Sequence, residues 1–142
     1  MFKGTQKLSM DSKGRISIPT KYRAALTPLV LVPNPIAGEP CLLIYPPDVW
    51  QTIEAEIAAR PNTRANRMTK RKFLGAAEDI TMDSNGRVLI KPDFRNKVNL
   101  GKKVLLIGQG NKLELWSEAE WEAFDTEEHD EAYQAELEAV PF

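Results

Sequence analysis

Asp11-Ser12-Lys13-Gly14-Arg15 and Asp83-Ser84-Asn85-Gly86-Arg87 each set an acid and a guanidinium four positions apart around a glycine. An arginine just past a glycine turn stands clear of the body. Its planar guanidinium forks onto phosphate oxygens or onto guanine O6 and N7. Lys13 adds a second cation to the first loop, where the second loop carries Asn85. The same residues also suffice for a purely structural turn. Aspartate bonds the backbone two residues on, and glycine takes positive φ. An exposed Asp–Arg pair worth about 0–1 kcal/mol then holds the shape. On either reading Asp11, Gly14, Asp83 and Gly86 structure the loops, leaving Arg15, Arg87 and Lys13 as the residues free to meet a ligand. Local chemistry does not choose between the readings, and repetition does not either, because a structural turn repeats as readily.

Other chemistry finds little support. The one histidine, His129, sits among acids and reads as solvated. The one cysteine, Cys41, lies in an apolar run and reads as a buried thiol. It excludes an intrachain disulfide and any multi-cysteine metal cluster, and fits a reducing cytoplasm. Asp11 and Asp83 form a carboxylate pair only if the two copies face each other, and turn formation already explains both. The chain contains no glycine-rich phosphate loop, zinc-ligand spacing or nucleotide fingerprint. Aromatic residues, 8% of the chain, fall at core positions and form no stacking platform. No catalytic residue, metal, cofactor or small-molecule substrate is expected.

Charge is distributed unevenly. The net charge is −1 over 142 residues, but residues 1–72 carry 12 Lys/Arg against 5 Asp/Glu, and residues 73–142 carry 7 against 15. A basic first half permits an anionic partner without identifying one. The cluster Arg64, Arg67, Lys70, Arg71 and Lys72 reads as a solvated face or a phosphate contact. The acids from Glu118 to Glu138 read as a solvated helix face with a frayed end, or as a surface for a neighbouring subunit's cations. No apolar run approaches the roughly 18–20 residues that span a bilayer, and the N-terminus lacks signal-peptide character, so no membrane association is expected.

The elements that must position the two motifs are themselves repeated. At an offset of 72 residues, Asp11/Asp83, Ser12/Ser84, Gly14/Gly86, Arg15/Arg87, Ile18/Ile90 and Arg23/Arg95 are identical. Leu42–Trp50 and Leu113–Trp121 match at nearly the same offset. Two copies in register predict a pseudo-dimer within one chain, with a shared core or further association, because a unit near 70 residues buries little alone. Each copy reads as an alternating strand (Gln6, Leu8, Met10), a motif turn at a hairpin tip, and a second strand from Ile16. A short helix then opens near Pro19 or Pro92, with Tyr22/Leu26 and Phe94/Val98 on one face. Buried strands follow at 29–32 and 104–107, and a further strand in each copy at 41–45 and 113–116. Each copy closes on a helix, the first with Trp50, Ile53 and Ile57 as its apolar stripe, the second with Trp121 and Phe124. Ser117 and Glu120 predict a capping box there. Between the copies the chain is expected to be helical from Pro61 toward Leu74. Ile36, Leu42 and Val49 serve either the core or an interface.

Together Met1-Phe-Lys-Gly4, the two motif segments, Cys41-Leu-Leu-Ile-Tyr-Pro46, Phe73-Leu-Gly-Ala-Ala77 and Gly108–Trp116 resemble the MraZ family over residues 1–125, in the family's order and spacing. The resemblance implies an α+β, β-rich fold of two tandem SpoVT-AbrB-like units, each a swapped-hairpin, double-psi-like barrel half, forming an internal pseudo-dimer. The expected units are residues 1–58 and 76–125, joined by a basic linker at 59–75 and followed by an acidic tail at 126–142. The resemblance further implies a cytoplasmic, nucleoid-associated transcriptional regulator, usually a repressor. It would bind tandem promoter repeats of double-stranded DNA as a homo-oligomeric ring, acting on its own promoter and the division and cell-wall gene cluster. Arg15 and Arg87 become the expected DNA contacts, with Lys13 beside the first and Lys3 as a weaker candidate. A protein-interaction or antitoxin-like scaffold that never touches DNA is the alternative, since fold alone does not fix function.

Overall fold

The computed structural model describes residues 1–142. The first copy supplies β1 (Thr5–Ser9), β2 (Arg15–Ser17), α1 (Thr20–Arg23), β3 (Leu29–Pro33), β4 (Cys41–Tyr45) and α2 (Pro47–Ala59). A connecting helix α3 (Arg64–Lys72) and a 3₁₀ turn (Leu74–Ala76) follow. The second copy supplies β5 (Glu78–Ile80), β6 (Arg87–Leu89), α4 (Pro92–Lys97), β7 (Lys103–Gly108), β8 (Leu113–Ser117) and α5 (Glu118–Phe124), and a last helix α6 (Glu127–Leu137) ends the chain. The fold is α+β, and every strand pairing in it is antiparallel.

Six strands form one sheet in the order β1-β7-β8-β4-β3-β5, and β2 and β6 form a separate ribbon. Exchanging each strand for its counterpart in the other copy reverses that order, so the sheet has internal two-fold symmetry. The pairing places the pseudo-axis. Ile16 faces Val88 on the ribbon, and Leu43 faces Glu114 at the centre of the sheet. In both pairs the partners occupy equivalent positions of the two copies. The ribbon pairing corrects one expectation. The motif does not tip a hairpin, because β1 pairs with β7 and β2 with β6, each across the copies. The turn only carries the chain from the sheet to the ribbon.

This exchange explains how two small units reach stability. The larger core cluster holds 18 buried residues drawn from both copies, including Ile16, Ile18, Val88 and Ile90. The pairs Tyr22/Leu26 and Phe94/Val98 are buried in it as well. A second cluster lies on the other face of the sheet, where Trp50, Trp116, Trp121 and Phe124 pack beneath α2 and α5. β4 and β8 are buried throughout, since these central strands are covered on both faces. Alternation therefore disappears from β4, which reads as a short continuous apolar run, whereas β8 buries Glu114, whose carboxylate accepts from Trp116 Nε1 at 2.9 Å.

Local signals account for the helix ends. Pro47 and Pro92 open α2 and α4 at positions where a missing N–H costs nothing. Thr63 caps α3 by accepting from the Asn66 amide at 3.1 Å, so the helix starts at Arg64 and not directly after Pro61. Ser117 caps α5, accepting from the Glu120 amide at 3.4 Å. The reciprocal half of the box is replaced, because the Glu120 carboxylate accepts from Asn99 Nδ2 instead. Residues 127–137 form a solvent-facing helix, and the regular helix ends at Leu137. Leu42 is buried, Val49 packs against the second cluster, and Ile36 is exposed. No helix is long and apolar enough to cross a membrane.

Candidate functional site

The two motif turns are built alike, atom for atom. Asp11 Oδ1 accepts from the amides of Lys13 and Arg15, each at 2.9 Å, and its Oδ2 accepts from Arg15 Nε at 2.8 Å. Asp83 repeats the pattern with the Asn85 and Arg87 amides at 2.8 and 2.9 Å and Arg87 Nε at 3.0 Å. Gly14 and Gly86 sit at φ +82° and +76°, the left-handed region that side-chain-bearing residues rarely take. A structural turn and a functional arginine are thus compatible. The aspartate engages only Nε, so the Nη nitrogens of Arg15 and Arg87 make no hydrogen bond within the protein. The carboxylates do not pair with each other, since each is occupied by its own loop.

The ribbon brings the two arginines to one surface. Ile16 and Val88 point inward and are buried. Alternation therefore turns Arg15, Ser17, Arg87 and Leu89 outward. Arg15 stands opposite Leu89 and Arg87 opposite Ser17, which makes the arginines diagonal neighbours, within reach of long side chains. Leu89 is 47% exposed, an apolar group set between cations. Lys13 lies exposed in the first loop. Lys3 is elsewhere, at the far end of β1 from its own motif, where its carbonyl accepts from Tyr22 Oη and its backbone abuts Gly108.

Two residues that sequence reasoning aligned without giving a role hold the loops in place. Arg23 of the first copy lies across Gly86 of the second, anchored by Nε donating to the Ile18 carbonyl at 2.8 Å. Arg95 lies across Gly14 in the same way, with its Nε buried and unpartnered. The ribbon amides of Ile18 and Ile90 complete the exchange by donating to the Gly86 and Gly14 carbonyls. Each loop is thus braced by the opposite copy. The identity of Arg23 and Arg95 at the repeat offset was the available signal. Replacing Arg23 with alanine is expected to speed amide exchange at Ile18 and Gly86 while leaving the β4–β8 amides unchanged. Uniform protection across all of these would contradict the brace.

The electrostatics agree with the geometry. The Asp11 carboxyl is held below its ordinary value of 3.8, first by the Arg15 amide, then by the Arg15 guanidinium and the Lys13 amide, against some desolvation. Asp83 is lowered in the same way, first by the Arg87 amide. A carboxyl lowered in the folded state contributes stability that is present above 3.8 and lost as pH falls through the folded value. The loops are therefore expected to loosen only below that range. Asp11→Asn, which keeps an oxygen to accept from the Lys13 and Arg15 amides but frees the Arg15 guanidinium, should remove that share of the acid dependence. Urea midpoints between about pH 2 and 5 check this, and an unchanged profile would rule the linkage out. The buried thiol of Cys41 is pushed up to about 12 by desolvation and by nearby Glu114, so it stays protonated and unreactive at neutral pH. His129 stacks on Phe124 with ring centroids 4.2 Å apart and lies away from the ribbon.

Comparison with known proteins places these two copies in one lineage. The family model described as "MraZ protein, putative antitoxin-like" matches twice in succession, at residues 1–72 and 73–140. The chain is 47% identical to the "Transcriptional regulator MraZ" of Shewanella amazonensis, covering 87% of this chain and 84% of that protein. It is 44% identical to the protein of the same name from Pseudoalteromonas translucida, with 85% and 82% covered, and 41% identical to that of Nitrosococcus oceani, with 86% and 85% covered. With both repeats matched and identity sustained over most of each relative, this chain belongs to the MraZ family.

Proposed function

We propose that this chain is a sequence-specific DNA-binding transcriptional regulator that reads double-stranded DNA through the β2–β6 ribbon. The observation that carries the reading is the pair of arginines, Arg15 and Arg87, set by an internal two-fold on the outward face of an antiparallel ribbon with their Nη groups free. A two-stranded ribbon fits the major groove, where arginine forks onto guanine and an apolar group such as Leu89 meets a thymine methyl. The family's curated relatives carry the name of transcriptional regulators, which supports the same class of activity here. The cross-copy pairing supports reading the two halves as swapped-hairpin, double-psi-like units. Their bounds would be 1–58 and 76–125, with 59–75 as linker and 126–142 as tail.

One ribbon covers few base pairs, and specific recognition needs more contact than that. A homo-oligomeric ring presenting many ribbons to tandem short boxes gains the remainder through multivalency. The regulator acts in the cytoplasm, associated with the nucleoid. It represses its own promoter and the adjacent division and cell-wall genes. Lys13 contributes phosphate contact at the first loop; Lys3, at the far end of β1, is the weaker candidate and lies apart from the ribbon.

The test is a mobility-shift titration with DNA from immediately upstream of the gene, with repeats intact and scrambled. Intact repeats should bind much more tightly. The logarithm of the binding constant should fall linearly with that of salt, by roughly 0.9 per phosphate neutralised. Equal binding of both DNAs with a flat salt response would refute the reading. Recovery of a protein partner in its place would favour the antitoxin-like alternative that the family description names.

A further inference from the structure

The two most strongly charged elements of the chain have no partner within it. The segment Arg60–Lys72, mostly helix α3, holds six cations and no acid, and none of them takes part in an ion pair. α6 and the acids around it are likewise unpaired, and only Leu137 of α6 is even partly covered. His129, stacked on Phe124 and with its Nδ1 in contact with the Phe124 carbonyl, ties the start of α6 to the body. Beyond that point the helix projects into solvent.

α3 borders a groove of about 530 Å³. Pro33, Pro35, Met68 and Phe73 give it an apolar floor, and Lys72 and Lys97 contribute cations. Met68 is 43% exposed there, a large apolar side chain on an otherwise cationic helix. α6 has the complementary pattern. At about 100° per residue, Tyr133 and Leu137 share one stripe, flanked on either side by Asp130 and Glu136. Tyr133 is 57% exposed.

We infer that α6 of one copy docks into the α3 groove of a second copy, with Tyr133 and Leu137 on the apolar floor and Asp130 and Glu136 against Lys72 and Lys97. The contact is heterologous, because tail and groove are different surfaces of each chain. Such contacts propagate from copy to copy and close into a ring when the rotation allows. Both surfaces are solvated in the single chain, so their burial is a gain reserved for assembly. The inference rests on the proposed self-association and specifies the surface that carries it.

Charge exchange in the full-length chain tests it. Lys72→Glu/Lys97→Glu gives an acidic groove beside an acidic tail, and Asp130→Lys/Glu136→Lys gives a basic tail beside a basic groove. Light-scattering mass across a concentration series should show at least a ten-fold rise in the concentration at half assembly for each variant alone. An equimolar mixture should assemble again, because every tail then finds a groove of opposite charge in the other variant. Variants that keep the wild-type mass profile would overturn the inference while leaving self-association standing. A wild-type chain that stays monomeric throughout would remove self-association as well. An unchanged mass combined with a shallower salt dependence of DNA binding for the groove variant would make α3 a phosphate surface and overturn the docking. A concentration-independent expansion of both variants would place α6 in its own groove and overturn it equally.

Discussion

Arg15→Ala is expected to weaken binding to the upstream repeats by roughly 5- to 150-fold, the loss of one bidentate base contact worth about 1–3 kcal/mol. Folding should hardly change, because the ion pair that is removed lies half-buried at the surface, where such pairs are worth about 0–1 kcal/mol. Arg15→Lys should recover little of the loss, since an ammonium keeps the charge but cannot fork. Arg87→Ala is expected to cost less, because its loop carries Asn85 where the first has Lys13. Fluorescence anisotropy with labelled operator DNA measures all three variants. Wild-type affinity in Arg15→Ala would remove this residue from the interface.

Gly86→Ala is expected to destabilise the fold by about 1–3 kcal/mol, and by more than Gly14→Ala. Both sites need the left-handed backbone, which costs a residue with a Cβ roughly 1–2 kcal/mol. At Gly86 the new methyl group would also lie 2.2 Å from Arg23 Nε, an impossible approach. Arg23 must then swing away and release the Ile18 carbonyl. At Gly14 the nearest atoms, Arg95 Cζ and the Ile90 carbonyl, stand at 3.1 Å, so a smaller adjustment suffices. Denaturant midpoints measure the two costs. In an Arg23→Ala background the Gly86→Ala penalty should shrink to the backbone share, a non-additivity that reports direct contact. Additive costs would show that the brace does not bear on the loop.

Much of this structure could be read from the chain, and what escaped did so for definite reasons. The strands at Leu29–Pro33, Lys103–Gly108 and Cys41–Tyr45 were visible as apolar runs, Leu113–Ser117 by its match to the first copy, and the motif turns as aspartate and glycine chemistry. The pseudo-dimer followed from the fixed offset between Arg15 and Arg87. The pairing of β2 with β6 was hidden because alternation tells which face of a strand is buried and nothing about its neighbour. Local economy favours a hairpin, and here a contact 72 positions distant wins because Ile16 and Val88 share a core only across the two-fold. Arg23 and Arg95 were visible as identities, but their job depends on that same exchange. The outward face of the ribbon could not be assembled from sequence, since Leu89 and Arg15 become neighbours only once the strands are paired.

Whether the ribbon arginines read DNA is decided by the salt dependence of operator binding for the Arg15→Ala/Arg87→Ala chain beside the wild type. The double variant should be folded and normally assembled, and should bind intact and scrambled repeats alike, only weakly and with a reduced salt slope. A double variant that still prefers the intact repeats with wild-type affinity and slope would contradict that role.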